Sequence, residues 1–110
     1  MIDIEMVERA LNWMRDNAEK LGKAKAERVY LEQFRKSKKA ILFSQAPQGT
    51  IADKENWAYA HDDYLEILDG LKIAVAEEEE LKWLMTSASV KVDVWRTQSA
   101  TNRALDRAHT

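Results

Sequence analysis

Ser44-Gln45-Ala46-Pro47-Gln48-Gly49-Thr50 is the one stretch of this chain that reads as a loop. It holds the only proline and one of the three glycines in 110 residues. Pro47 cannot donate a backbone hydrogen bond, and Gly49 permits a tight turn. The sequence on either side is rich in Ala, Leu, Glu, Lys and Arg, all good helix formers. An ordinary domain has about 7% Gly and 5% Pro, so this chain lacks the turn residues that a many-stranded fold needs. The fold class expected is all-α, with one helix entering the loop and others leaving it.

Working outward, Ile4, Val7, Leu11, Met14, Ala18 and Leu21 recur at alternating steps of three and four, the heptad signature of a buried seam. Beyond Gly22 the seam resumes out of phase through Ala24, Arg28, Leu31, Phe34, Lys38 and Ile41. The three-residue step from Leu21 to Ala24 reads as a stammer. One helix is expected over residues 3–43, about 60 Å long and weakened at Gly22. The loop is set at 44–52. A short helix at 53–60, capped by Asp53, carries Trp57 and Tyr59. A long helix at 63–106 starts with Asp63 and Glu66 in a capping box. Its seam is Tyr64, Ile67, Leu71, Ala74, Glu78, Leu81, Met85, Ala88, Val92 and Trp95. The run Val90-Lys91-Val92-Asp93-Val94-Trp95 alternates like a strand, but no second strand exists to pair with it.

Charge sets how these helices meet. The chain carries 17 basic and 19 acidic residues, for a formal net charge of -2. That near-neutrality conceals blocks: -3 over residues 1–19, +6 over 20–39, -8 over 53–80 and +3 over 82–107. Folding back at Pro47 in an antiparallel hairpin sets Phe43 near Tyr64, so that paired positions add to about 107. The basic block then faces Glu77-Glu78-Glu79-Glu80, and both halves of the hairpin match opposite signs. Exposed pairs are worth only ~0–1 kcal/mol each, so they select the register more than they stabilise it. Four tryptophans and a flank of Leu68, Val75 and Leu84 make the apolar stripe wider than a two-stranded seam requires. We therefore expect a single helical domain, 1–110, built as a coiled-coil-like hairpin with a short extra helix and assembled into a homo-oligomeric bundle.

Catalytic raw material is scarce. The chain has no cysteine, two histidines and three isolated glycines, which leaves no thiolate, disulfide or Gly-rich phosphate loop. No enzyme activity, cofactor or small-molecule substrate is expected. His61-Asp62-Asp63-Tyr64-Leu65-Glu66 gathers possible metal ligands, yet it matches no zinc or calcium spacing and reads equally as a helix start. No metal site is expected there. The apolar runs are far shorter than the roughly 20 residues of a bilayer span, and the start lacks the basic, apolar pattern of a signal peptide. A soluble cytoplasmic protein is expected.

The stretch with most chemical content is Arg28-Val29-Tyr30-Leu31-Glu32-Gln33-Phe34-Arg35-Lys36-Ser37-Lys38-Lys39. Arg35, Lys36, Lys38 and Lys39 cluster beside Tyr30 and Phe34. Trp95-Arg96, with Arg103 and Arg107, forms a second basic-aromatic patch. Cations attract phosphates and release their counterions, and aromatic rings stack on unpaired bases. The competing reading puts Phe34 and Trp95 in the seam and pairs the lysines with acidic residues across the hairpin. Both readings stand at this point.

At these residues the chain resembles a family of small, all-helical proteins encoded by tailed phages and prophages. The likeness rests on AERVYLEQFRKSKKAIL at 26–42, YAHDDYLE at 59–66, EELKW at 79–83 and VWRTQSATNR at 94–103. Genes of that family lie near phage recombination and replication genes. In size and helicity the chain is also similar to the phage mediator that loads a recombinase on single-stranded DNA. The resemblance implies an accessory role in phage DNA recombination or replication in the host cytoplasm. Its partner would be single-stranded DNA or a recombination protein bound to it, with Arg35, Lys36, Lys38, Lys39 and Arg96 as the contact residues. The alternative is a helical protein–protein or phage assembly adaptor that touches no nucleic acid.

Overall fold

A computed structural model describes residues 1–109. It contains three helices, α1 (Ile4–Gln45), α2 (Ile51–Ala60) and α3 (Asp62–His109), and no strand among the described residues. Each boundary has a chemical cause. Asp3 starts α1, its Oδ1 accepting from the Met6 amide at 2.9 Å. Past Gln45 the chain turns through Pro47 and Gly49.

The cap of α2 is Thr50, not the expected Asp53. The Asp53 amide donates to Thr50 Oγ1, and the Thr50 amide donates back to Asp53 Oδ2, both at 3.1 Å. This reciprocal capping box moves the helix start to Ile51. The cap of α3 likewise falls upstream of Asp63. His61 ends α2, its amide donating to Ala58 O at 3.3 Å, and opens α3, its Nδ1 accepting from the Asp63 amide at 3.0 Å. Asp62 and Asp63 then lie in the first turn of α3, where the helix dipole favours them.

The chain divides into two compact units. One is Met1–Leu21 with the chain from Glu80 onward, and the other is Gly22–Glu79. In each, a segment of α1 runs antiparallel to a segment of α3, as in a helical hairpin. In the first, the Ile2 amide donates to Gln98 Oε1. Val7, Ala10, Ala88 and Val92 form its core, with Trp13 and Trp95 packed against them. In the second, Arg28 reaches Glu78 and Lys38 reaches Asp63. Leu42, Ala58 and Tyr64 form its core, flanked by Trp57 and Phe43. Trp83 is 70% exposed and joins neither core.

Every expected seam position of α3, from Tyr64 to Trp95, is buried or half-buried. The seam of α1 differs. Its inward line is Val7, Ala10, Met14, Asn17, Leu21, Ala24, Arg28, Leu31, Arg35, Lys38 and Leu42, with steps of three and four throughout. It crosses Gly22 without a stammer. Ile4, Leu11, Ala18, Phe34 and Ile41, expected inside, are exposed. Close helix packing wants small residues on the line, such as Ala10, Ala24, Ala74 and Ala88, and tolerates polar ones that find a partner. Asn17 bonds Trp13 O at 2.9 Å, while Arg28 and Lys38 have carboxylates facing them.

Arg28 meets Glu78, as the expected pairing of the basic block with residues 77–80 requires, but toward the loop the register is displaced. Leu31 lies against Gly70 rather than residue 76, and Lys38 meets Asp63 rather than residue 69. Near the loop, α1 overruns the first turn of α3, and α2 fills the step by packing Ala58 on Leu42 and Tyr64.

Gly22 sits inside α1, and a Cβ placed there meets nothing within 4 Å. Gly22→Ala should therefore stabilise the protein by about 1 kcal/mol through helix propensity alone. Thermal denaturation should show a Tm about 4–8 °C higher. An unchanged or lower Tm would mean that the glycine meets a need other than open space.

Candidate nucleic-acid interface

Four of the five expected contact residues lie in the last three turns of α1, within the Gly22–Glu79 unit. The seam divides them. Arg35 and Lys38 are on the inward line, and Lys36 and Lys39 are on one flank of it. Arg35, Lys36 and Lys39 come together with Tyr59 of α2 and Tyr64 of α3 around an open cleft of about 420 Å³. Lys38 turns to the other flank and pairs with Asp63 at 3.4 Å. Arg96 belongs to the other compact unit, is largely exposed, and lies 3.9 Å from Asp93 one turn earlier.

Within the cleft, Lys39 Nζ sits 4.6 Å from the Tyr59 ring centroid and 3.7 Å from Glu55 Oε1. Its ammonium is held above its usual pKa, first by a hydrogen bond with Tyr59, with burial the next effect and opposing it, and with smaller favourable electrostatic contributions from Tyr59 and then Glu55. Lys39 is therefore cationic at any neutral pH, but its charge is already used to dock α2. Tyr59 stands edge-on to Tyr64, with centroids 5.3 Å apart and planes at 77°. This edge-to-face contact fixes the aromatic wall. Arg35 and Lys36 have no carboxylate partner among the described residues, so theirs are the charges left for an anion.

Tyr30 and Phe34 form a parallel stack on the opposite flank of α1, with centroids 5.8 Å apart and planes at 6°. Tyr30 is 61% and Phe34 38% exposed. Phe34 is thus a surface ring and not the core residue its expected seam position implied. Trp95 does pack on the core of its unit.

Sequence reasoning missed Tyr59 and Tyr64 as cleft residues. The available signal was Glu55 and Tyr59 one turn apart on α2, a carboxylate and a ring suited to gripping one lysine of the basic block. Behind the cleft, Arg28 bonds Glu78 through Nε and Nη2, and Glu32 through Nη1 at 3.0 and 3.1 Å. These bonds, to Glu78 first, hold the guanidinium above even its ordinary high pKa. Among the described residues, no buried side-chain polar atom lacks a partner and no group of three or more acidic or histidine side chains is placed to hold a metal. No helix described is long and apolar enough to cross a membrane.

The cleft offers two cations without a carboxylate partner among the described residues and the partly exposed ring of Tyr59. The fold and cleft define an all-α hairpin protein with a basic, aromatic-walled recess. In comparisons with known proteins, no family, no curated protein and no solved structure matches the chain.

Proposed function

We propose that this protein is a non-enzymatic accessory factor of phage DNA recombination or replication, acting in the cytoplasm of a bacterial host. It holds single-stranded DNA in the cleft walled by Tyr59 and Tyr64. The observation that carries this reading is the pair Arg35 and Lys36, uncommitted cations beside exposed ring surface. Phosphates are drawn to the two cations while an unpaired base lies against the tyrosine wall. Self-association multiplies such weak contacts along one strand.

Fluorescence anisotropy of a labelled oligo-dT of about 20 nucleotides tests it. At about 50 mM salt, micromolar binding is expected, weakening steeply as salt is raised. Arg35→Glu with Lys36→Glu should weaken it at least tenfold, while Lys38→Glu, on the other flank, should cost much less. No binding at about 100 µM protein in low salt would sink the proposal. A second reading, an adaptor for another protein with no DNA contact, is favoured by the exposed stripe of Tyr30, Phe34 and Ile41 at helical spacing. Intact binding of a protein partner with no oligonucleotide binding would select it.

A further inference from the structure

The Met1–Leu21 unit carries a second recess, independent of the first. Ala10 and Ala88 form its floor, and their small side chains leave an open cleft of about 340 Å³. Met6 and Trp13 from α1 and Leu84 from α3 make apolar walls. Trp13 is half-buried and Leu84 is 45% exposed, so both present surface to a ligand. Ser87 and two cations, Arg9 and Lys91, complete the lining. Both side chains are exposed, and neither has a carboxylate partner among the described residues.

The two halves of this description select one kind of occupant. The volume is within the range of clefts that seat a ligand group, and an indole beside thioether and leucine walls favours a bulky apolar side chain. Uncommitted cations at the edge of an apolar recess favour carboxylates close to that side chain. A strand of DNA supplies the charge, but its bases carry polar edges that this apolar recess of Met6, Trp13 and Leu84 would leave unpaired. An uncharged apolar segment supplies the anchor and leaves both cations without a counter-charge. We infer that this recess binds an acidic peptide segment of a partner protein, one bulky apolar side chain seated on Ala10 and Ala88, with carboxylates held by Arg9 and Lys91. The anchor gives affinity and the charges give register, the usual division in peptide docking sites.

The test uses the whole chain and a fluorescein-labelled peptide of four aspartates ending in phenylalanine with a free carboxylate. Anisotropy should report binding, and the methyl resonances of Ala10 and Ala88 should shift on titration. Arg9→Glu with Lys91→Glu should weaken binding at least tenfold. Replacing the terminal phenylalanine of the peptide by serine should weaken it as much. Both substituted side chains are exposed, so helicity by circular dichroism should stay unchanged. Oligo-dT binding should also persist in this variant, which separates the recess from the Arg35 cleft. Unmoved Ala10 and Ala88 methyls at millimolar peptide would overturn the inference. Equal binding of the serine peptide would overturn it too, as it would show charge attraction alone. A peptide-free dimer that the double variant converts to monomer would assign the recess to a second copy of this chain. Loss of oligo-dT binding in the same variant would assign it to nucleic acid.

Discussion

Arg28→Met should destabilise this protein more than any other exchange of a partly exposed residue. Glu78 is 1% exposed, and the guanidinium of Arg28 is its ion-pair partner from α1. Methionine keeps much of the arginine stem and its packing, but it removes the guanidinium that pairs with the buried Glu78 carboxylate. Breaking a buried ion pair by removing one partner costs about 3–5 kcal/mol, which lowers Tm by roughly 12–40 °C at the same conversion. Arg28→Met combined with Glu78→Leu should recover most of the loss, because an apolar pair of similar volume often replaces a buried ion pair without cost. A deficit of under about 1 kcal/mol in the single variant, or no recovery in the double variant, would show that the burial of Glu78 does not depend on Arg28.

The same pair explains what the sequence could and could not reveal. The α3 line was legible because its apolar residues recur at steps of three and four from Tyr64 to Trp95, with Glu78 the one polar intrusion. On α1 the bulky residues and the inward line disagree. Leu11, Phe34 and Ile41 are larger and more apolar than Ala10, Arg35 and Lys38, yet the smaller or charged residues face inward. Hydrophobicity ranks residues one at a time, whereas packing ranks positions against a facing helix. An alanine line lets the helices approach closely, and an arginine on the line is tolerated where a carboxylate meets it. The unbroken heptad from Val7 to Leu42 would have shown the correct phase had continuity been weighted above bulk.

Legibility of the candidate site followed from this. The basic block was visible as composition, but which of its charges are available depends on the phase of α1 and on α2. Lys38 falls to Asp63 and Lys39 to Glu55 and Tyr59, leaving Arg35 and Lys36. A change of phase also moved Phe34 from the expected core to the surface. Arg96 joined the set through its place beside Trp95 in sequence and through the family resemblance, neither of which carries information about distance in the fold.

Ala58→Leu should separate the docking of α2 from the stability of the rest. Ala58 is 0% exposed, closed in by Leu42 at 1% and Tyr64 at 8%. Three added carbons have no free volume there, and overpacking of this kind costs about 1–3 kcal/mol. The helix that carries Ala58 has ten residues, too few to persist in water without a docked face. Its other tethers are the half-buried Trp57, the partly exposed Glu55–Lys39 pair, the Lys39–Tyr59 and Lys54–Phe43 contacts and the edge-on Tyr59–Tyr64 pair. Exposed pairs contribute little, so the strain should be relieved by releasing α2 rather than by spreading α1 from α3. Amide hydrogen exchange should then show protection lost across Ile51–Ala60 and retained in α1 and α3. Oligonucleotide affinity should fall several-fold although Arg35 and Lys36 are untouched, because Tyr59 leaves the cleft and Lys39 loses the ring that holds it. Tyr59→Ala should reproduce the affinity loss while leaving Ile51–Ala60 protected, since Ala58 still packs. Retained protection of α2 in Ala58→Leu would mean that the core around Leu42 repacks. Unchanged affinity in Tyr59→Ala would remove the tyrosine wall from the binding surface and leave the two cations of α1 to act alone.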